Sequence, residues 1–210
     1  MGQLGRNLIA ISMLLLYLLT WFETYNCFMN MGNSIQIKLE SSRLFIKPLD
    51  YEHLLIYREL DLPFEFDYGK MSIKRRLSTD LLLTIENSVL PYIKKNPSDI
   101  LYGTLWIIIS KMANVIIGDI GFKGRPSDNG LIEIGYGIYP EFFNNGYMTE
   151  AVEIMVTWAF DQPEVRIILA ETSKENIPSQ KVLNKNRFKI FAETEFNYWW
   201  RLDKDSKDIN

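Results

Sequence analysis

The chain has 210 residues, 47% hydrophobic and 23% charged, which suits one folded domain with a substantial core and not a disordered chain. A formal net charge of −3 gives no global electrostatic basis for nucleic-acid binding. The single cysteine, Cys27, and the single histidine, His53, rule out an intrachain disulfide, argue against a Cys/His zinc site and leave a His-dependent hydrolase only His53 to use.

Asn7 to Phe22 carries no charge, and its apolar part from Leu8 is about fifteen residues long, short for a membrane span of about 20. Arg6 gives a weak positive flank, as before a signal peptide or signal anchor, but no small-x-small cleavage site follows. Met1-Gly2 lacks the Ser or Thr expected at position 6 for myristoylation. Three readings stay open: a membrane anchor for a cytoplasmic domain, an extra packing helix, or an upstream extension with synthesis starting at Met29 or Met31. Residues 1–30 are therefore taken as an apolar N-terminal extension and residues 31–210 as one domain. That domain is expected in the cytoplasm, with membrane association only through residues 7–22.

Arg43 to Leu49 (RLFIKPL) alternates as a first strand, and Asp50 is placed to cap a helix running to about Leu60. LPFEFDYGK reads as a pocket-shaping loop. Ser72 to Asn96 reads as helix, with Leu77, Leu81, Ile85 and Val89 on one side and Pro91 dividing it in two. Lys74-Arg75-Arg76 is read as its solvated face. Leu101 to Ser110 and Val115 to Phe122 are strands joined by the hairpin-length Lys111–Asn114. KGRPSDNG then turns the chain into the next strand.

Residues 131–172 read as strand, turn, helix, strand. Ile132, Ile134, Tyr136 and Ile138 alternate with Glu133, Gly135, Gly137 and Tyr139. One face is apolar; the other carries a carboxylate and two glycines, so that a ligand has room against the backbone. A helix from about Gly146 to Phe160 follows, with Asn144 or Asn145 as its cap. Val165 to Ala170 reads as a parallel strand buried on both faces, reached by a crossover about 25 residues long. The turn Phe142–Tyr147 sits at a helix start, where N–H groups lack partners and the dipole adds about half a positive charge. It is either a phosphate site or an ordinary strand-to-helix turn. Asn176 as cap and Pro178 in the first turn begin a short helix, and Phe188–Phe196 with Tyr198–Leu202 close the chain as a hairpin. The fold class is α+β: a mixed, mostly antiparallel central sheet with helices on both faces. Tyr68, Trp106, Tyr136, Tyr198 and Trp199 are read either as pocket lining or as core.

IGYGIYPEFFNNGYMTEAV, then WAF, then ILAETSKENIPSQKVLNKNRF resembles the GNAT superfamily of coenzyme A-dependent N-acetyltransferases. More narrowly it is similar to the branch holding the bacterial ribosomal-protein alanine and serine N-acetyltransferases. The likeness covers roughly Arg43 to Lys204 and is specific from Ile132 to Phe188. Two residues depart from the pattern. Asn144 stands where the family has the first glycine of its loop, and Arg187 where it has the glycine before the later Phe. If the latter position needs positive φ, Arg costs about 1 to 2 kcal/mol there, unless neighbouring Asn186 takes the conformation instead.

The resemblance implies a GNAT-like sheet with a β-α-β coenzyme-binding core, and direct acetyl transfer from acetyl-CoA, as co-substrate, to a primary amine. The acceptor is a protein N-terminus or a small amine; no metal is involved, and the protein is a monomer or homodimer. By the same resemblance Gly137, Ile138 and Tyr139 offer backbone groups to the pantetheine arm and thioester. Asn144, Asn145, Gly146, Tyr147, Met148 and Thr149 hold the pyrophosphate, and Asn176 and Ser179 belong to the later coenzyme-contacting motif. Glu133, on the glycine face, is the candidate base, with Asp119 as a second carboxylate. Many relatives place a tyrosine acid where this chain has Leu183, so an acid is dispensable or Ser179 serves through water. Two other functions stay open: a non-catalytic coenzyme A-binding module, and a membrane-tethered interaction protein.

Overall fold

The computed structural model describes residues 35, 37–59, 65–66, 69–70 and 77–207. The readings of residues 1–30, of Tyr68 and of Lys74-Arg75-Arg76 fall outside these. The chain divides into two compact units, Met1–Gln36 and Ile37–Asn210; the second carries the fold described below. No helix among the described residues is long and apolar enough to cross a membrane.

The strands are β1 (Leu39–Glu40), β2 (Leu44–Pro48), β3 (Glu65–Phe66), β4 (Gly69–Lys70), β5 (Leu105–Ser110), β6 (Val115–Phe122), β7 (Leu131–Ile138), β8 (Ile167–Ser173), β9 (Lys189–Glu193) and β10 (Asn197–Asp203). The helices are α1 (Tyr51–Arg58), α2 (Thr79–Thr84), α3 (Leu90–Lys95), α4 (Ile100–Gly103), α5 (Tyr147–Asp161) and α6 (Ile177–Lys185). The sheet order is β1-β2-β5-β6-β7-β8-β10-β9, with β3 and β4 off this path. Along that order every pairing is antiparallel except β7 with β8, because α5 carries the chain back across one face between them.

Alternation along the strands builds a core on both faces of the sheet. Ile108, Ile120, Ile132 and Ile134 pack with Met148, Val152, Met155 and Ala159 of α5 on one side. Ile107, Ile109 and Ile116 pack with Leu54, Tyr57, Ile85 and Val89 on the other. Trp158 stacks near Phe122, with ring centroids 5.8 Å apart, and tilts onto Trp106 at 5.1 Å. Trp106 is fully buried and belongs to this core, not to a pocket.

Five local expectations change. LPFEFDYGK, read as a loop, contributes the short strands β3 and β4, which pair with each other, and Lys70 of β4 pairs with Val115 of β6. Leu101–Thr104 is not strand: α4 occupies Ile100–Gly103, and the Trp106 indole donates to the Leu101 carbonyl at 3.1 Å. Pro91 does not divide its helix. Between α2 and α3 a π-helical segment, Ile85–Val89, widens the turn so that the Leu90 N–H reaches Ile85 O, and the donor that Pro91 lacks is absorbed there. That helix begins at Ser78, whose hydroxyl accepts from Leu81 N–H at 3.1 Å. β8 is buried on one face only, since Ile168, Ala170 and Thr172 are buried while Glu171 and Ser173 are exposed.

Asp50 caps α1 as expected, accepting from His53 N–H at 2.8 Å, and His53 Nδ1 lies 2.7 Å from the same carboxylate oxygen. His53 is thus committed to a helix cap.

Candidate active site

The parallel register of β7 with β8 runs Leu131↔Ile167, Ile132↔Ile168, Glu133↔Leu169 and goes no further, although β7 continues to Ile138. The antiparallel register with β6 continues through Gly118↔Ile138 without a bulge. Glu133 O accepts from Lys123 N–H at 2.9 Å, and Tyr139 N–H donates to Ile117 O at 2.8 Å. Odd-numbered peptide groups of this segment therefore point to β6, and the even-numbered ones, Tyr136 and Ile138, point to the side where β8 has diverged. Of the three backbone donors expected at the thioester, the geometry leaves Ile138 available. The Tyr139 amide is spent on β6, and that of Gly137 points the same way.

Two cavities meet along this stretch. The smaller, about 530 Å³, is lined by Tyr136, Gly137 and Ile138, the turn Phe142–Asn144, Gly146–Thr149, and the start of α6. It gathers most of the residues expected to hold a coenzyme, Asn176 and Ser179 included. At its turn Asn144 adopts φ 60° and Gly146 φ 75°, both left-handed. Asparagine tolerates this conformation better than most residues, so the loop geometry survives its departure from glycine.

Neither Asn144 nor Asn145 caps α5, contrary to expectation. Gly146 is the cap residue and provides no side-chain bond, while the Asn145 amide turns back to Phe143 O at 3.0 Å. The first-turn N–H groups of Tyr147, Met148 and Thr149 thus face an uncapped helix start with its partial positive charge. Lys181 and Lys185, one turn apart on α6, line the same cavity and add two cations that the sequence reading passed over.

Arg43, immediately before β2, braces this turn. Its Nη1 donates to Asn145 O at 3.0 Å, its Nε to Glu150 Oε2 at 2.6 Å, and its guanidinium lies 4.7 Å from the Tyr147 ring centre. Burial pushes the Glu150 carboxyl up, but hydrogen bonds from Ser41 and Arg43 outweigh it and hold it below its ordinary value. Asn186 ties the far end of α6 to the same helix start, donating to Thr149 O at 3.2 Å.

The α6 C-terminus explains Arg187. Phe188 N–H reaches Leu183 O at 3.1 Å and Arg187 N–H reaches Asn184 O at 3.0 Å, a Schellman motif with Arg187 at φ 66°. Asn186 does not take the left-handed conformation; its φ is −89°. Leu183 and Phe188 are both fully buried beneath it. The position where many relatives carry a tyrosine is here a core leucine.

A phenol nevertheless lies in the cavity. Tyr136 Oη sits 2.8 Å from Ser179 Oγ, and burial pushes its pKa up to about 12, against a smaller opposing effect of that hydrogen bond. Asn176 Oδ1 accepts from Ser179 N–H at 3.1 Å, so it caps α6 as its residue type predicts.

The larger cavity, about 890 Å³, opens on the glycine face of β7 and shares Tyr136, Gly137 and Ile138 with the first. Asp119 lines it at 5% exposure, accepting from Tyr57 Oη at 3.2 Å, and Tyr57 and Tyr139 hydroxyls lie 3.0 Å apart. Tyr92, Phe122, Tyr136 and Tyr139 are its aromatic lining, whereas Tyr198 and Trp199 lie in neither cavity. Glu133 also lies in neither: it is half-buried and ion-paired with Lys123. It stands on the expected face, but two residues before Gly135, where Lys123 from the β6–β7 connection meets it.

A profile of the family described as acetyltransferase (GNAT) domain matches residues 43–189. The chain is 36% identical to the uncharacterized N-acetyltransferase YjdG of Bacillus subtilis (strain 168) over 100 residues, 47% of this chain and 60% of that protein. It is 35% identical to the uncharacterized N-acetyltransferase p20 of Bacillus licheniformis over 81 residues, 39% of this chain and 46% of that protein. In both cases the match spans less than two-thirds of the relative. Among solved structures, the ribosomal L7/L12 alpha-N-protein acetyltransferase RimL in complex with coenzyme A superposes with a TM-score of 0.57 at 15% identity, covering 80% of this chain and 98% of that one. A GNAT-family acetyltransferase from Bacillus anthracis does so with 0.56 at 18%, covering 80% and 99%. These likenesses are of fold.

Proposed function

The chain belongs to the GNAT acetyltransferase family, and we propose that it transfers an acetyl group directly from acetyl-CoA to a primary amine. The observation that carries this reading is the meeting of two cavities at Tyr136–Ile138, one running to an uncapped helix start and one holding a buried carboxylate. Solved neighbours carry the names ribosomal L7/L12 alpha-N-protein acetyltransferase and ribosomal-protein-S5-alanine acetyltransferase, which supports a protein N-terminus as one acceptor class; a small amine is the other.

Acetyl-CoA supplies an activated acyl carbon and a thiolate leaving group. The turn Asn144–Thr149 holds its pyrophosphate through the amides of the first α5 turn, with Lys181 and Lys185 opposite. The Ile138 N–H, directed to the diverged side of β7, polarises the thioester carbonyl; one such donor is worth about 3 kcal/mol to the transition state. Tyr136, held by Ser179 at 2.8 Å, relays to the departing sulfur the proton that the attacking nitrogen loses, and so ends the cycle as the same phenol. This fills the role expected of a helix tyrosine from a strand instead.

The test is thermal unfolding with and without acetyl-CoA. At 100 times the dissociation constant the ligand stabilises by about 2.7 kcal/mol, about 5 to 10 °C for a domain of this size. Gly146→Glu places a carboxylate at the phosphate turn and is expected to remove that shift. Absence of any shift at millimolar acetyl-CoA with the wild-type protein folded, or no thiol release with any primary amine, overturns the proposal.

A further inference from the structure

We infer that Lys181 and Lys185 form a subsite for the coenzyme's 3′-phosphate, the monoester on its ribose, and that they set a preference for coenzyme A over its 3′-dephospho form. This rests on the N-acetyltransferase reading and adds a specificity determinant for its acyl donor.

The smaller cavity is cationic. Its lining holds Lys181 and Lys185 and no carboxylate. Among the described residues neither lysine is ion-paired. Glu150, the acid in the first turn of α5, is taken by Arg43 and Ser41. Helix stability does not ask for such a pair, because like charges one turn apart repel each other. Lys185 suits the last turn of α6, where the dipole is negative. Lys181, in the middle of the helix, gains nothing from that.

Helix α6 gives the cavity a direction. At its start Ser179 Oγ meets the Tyr136 hydroxyl at 2.8 Å, beside the thioester position. Past its end Asn186 donates to Thr149 O at 3.2 Å, against the first turn of α5. Lys181 and Lys185 stand between these two points, about 6 Å apart along the helix axis. Both are exposed side chains on the α6 wall of the cavity, a different element from the turn that takes the pyrophosphate.

Charge decides which phosphate the lysines take. Each phosphorus of the pyrophosphate has a single ionisable oxygen, and the first-turn amides of α5 and its dipole are already turned to that group. The 3′-phosphate is a monoester with a charge of about −1.5 to −2 near neutral pH. It is the group of the coenzyme whose charge matches a pair of ammonium ions. Lysine suits it, since a point charge on a flexible stem binds phosphate without the fixed fork of arginine. Because both side chains are exposed, the two contacts together are worth about five- to thirtyfold in affinity at low ionic strength, and salt weakens them.

Calorimetry with coenzyme A and 3′-dephospho-coenzyme A tests this on the full chain, on Lys181→Gln, on Lys185→Gln and on the double variant, at about 50 mM and about 500 mM salt. Glutamine keeps the helix propensity and most of the stem but removes the charge. At low salt the wild type is expected to bind coenzyme A about five- to thirtyfold more tightly than the dephospho form. That preference falls below about threefold at high salt and in the double variant, and each single variant loses part of it. The dephospho form binds wild type and double variant within about twofold of each other, because the charge it lacks is the one the lysines answer. A wild-type preference below about threefold at low salt overturns the proposal. So does an equal loss for both coenzymes in the double variant, which moves the lysines to the pyrophosphate. If the double variant does not fold, the wild-type ratio and Lys181→Gln decide, and a preference unchanged in Lys181→Gln overturns the proposal. Tight binding of both forms without preference leaves the acetyltransferase reading intact; binding of neither by the folded wild type sinks both.

Discussion

Arg43 Nη1 donates to the carbonyl of Asn145 at 3.0 Å, joining residues 102 positions apart in the chain. Through this bond the first long strand holds the turn that presents the start of α5. The same guanidinium pairs with Glu150 Oε2 at 2.5 Å one turn into the helix. Two points of attachment fix the direction in which the first-turn amides face.

This relationship predicts a binding defect with a small stability cost. Arg43→Lys keeps the charge but loses the planar fork that reaches carbonyl and carboxylate together. Loss of one charged hydrogen bond of about 1.5 kcal/mol corresponds to roughly a tenfold rise in the dissociation constant of coenzyme A. Because the pair is partly exposed, global stability changes by less than about 1 kcal/mol. Calorimetry for coenzyme A beside a thermal melt separates the two; unchanged affinity removes Arg43 from the role.

Arg187 predicts a stability difference between two substitutions at one site. Both Arg187→Gly and Arg187→Ala remove the guanidinium, but only glycine relieves the left-handed backbone at φ 66°. Glycine should be the more stable by about 1 kcal/mol, equivalent to about 2 to 4 °C in melting temperature. Alanine melting at or above glycine would show that the Schellman turn carries no strain.

Glu150 predicts an acid-side loss of stability. Its carboxyl is held below its ordinary value despite burial, by hydrogen bonds from Ser41 and Arg43. A depressed carboxylate stabilises the fold fully above its unfolded pKa, about 4.3, and loses that contribution as pH falls through the folded value. Wild type should therefore melt above Glu150→Gln at pH 6 to 8, with the gap closing below about pH 4. A gap that persists unchanged at pH 3 contradicts the ionic account.

What was legible in the sequence was whatever depends on periodicity and short-range chemistry. β6 is found at Val115–Phe122 as read, and α5 is displaced by one residue at each end, because alternation and three-four spacing are imposed by burial on one face. The caps at Asp50 and Asn176 were legible for the same reason: the side chain and the N–H it accepts from are three residues apart. The π-helical passage at Ile85–Val89 was not, since it answers Pro91 through a change in hydrogen-bond register that residue types alone do not specify.

The sequence by itself determined the strand-turn-helix-strand passage that begins at β7, the glycine-bearing face of that strand, and the turn at Asn144–Gly146, because each rests on neighbours within a few residues. Tertiary structure alone decided which groups serve that turn. Arg43 reaches it from β2, Asn186 from the end of α6, and Tyr57 meets Asp119 across 62 residues. It also set Glu133 against Lys123 while placing Asp119 over Gly137. The two carboxylates look alike in sequence. Their surroundings differ because strand register and the packing of helices on the sheet, neither of them local, decide which one faces a cavity.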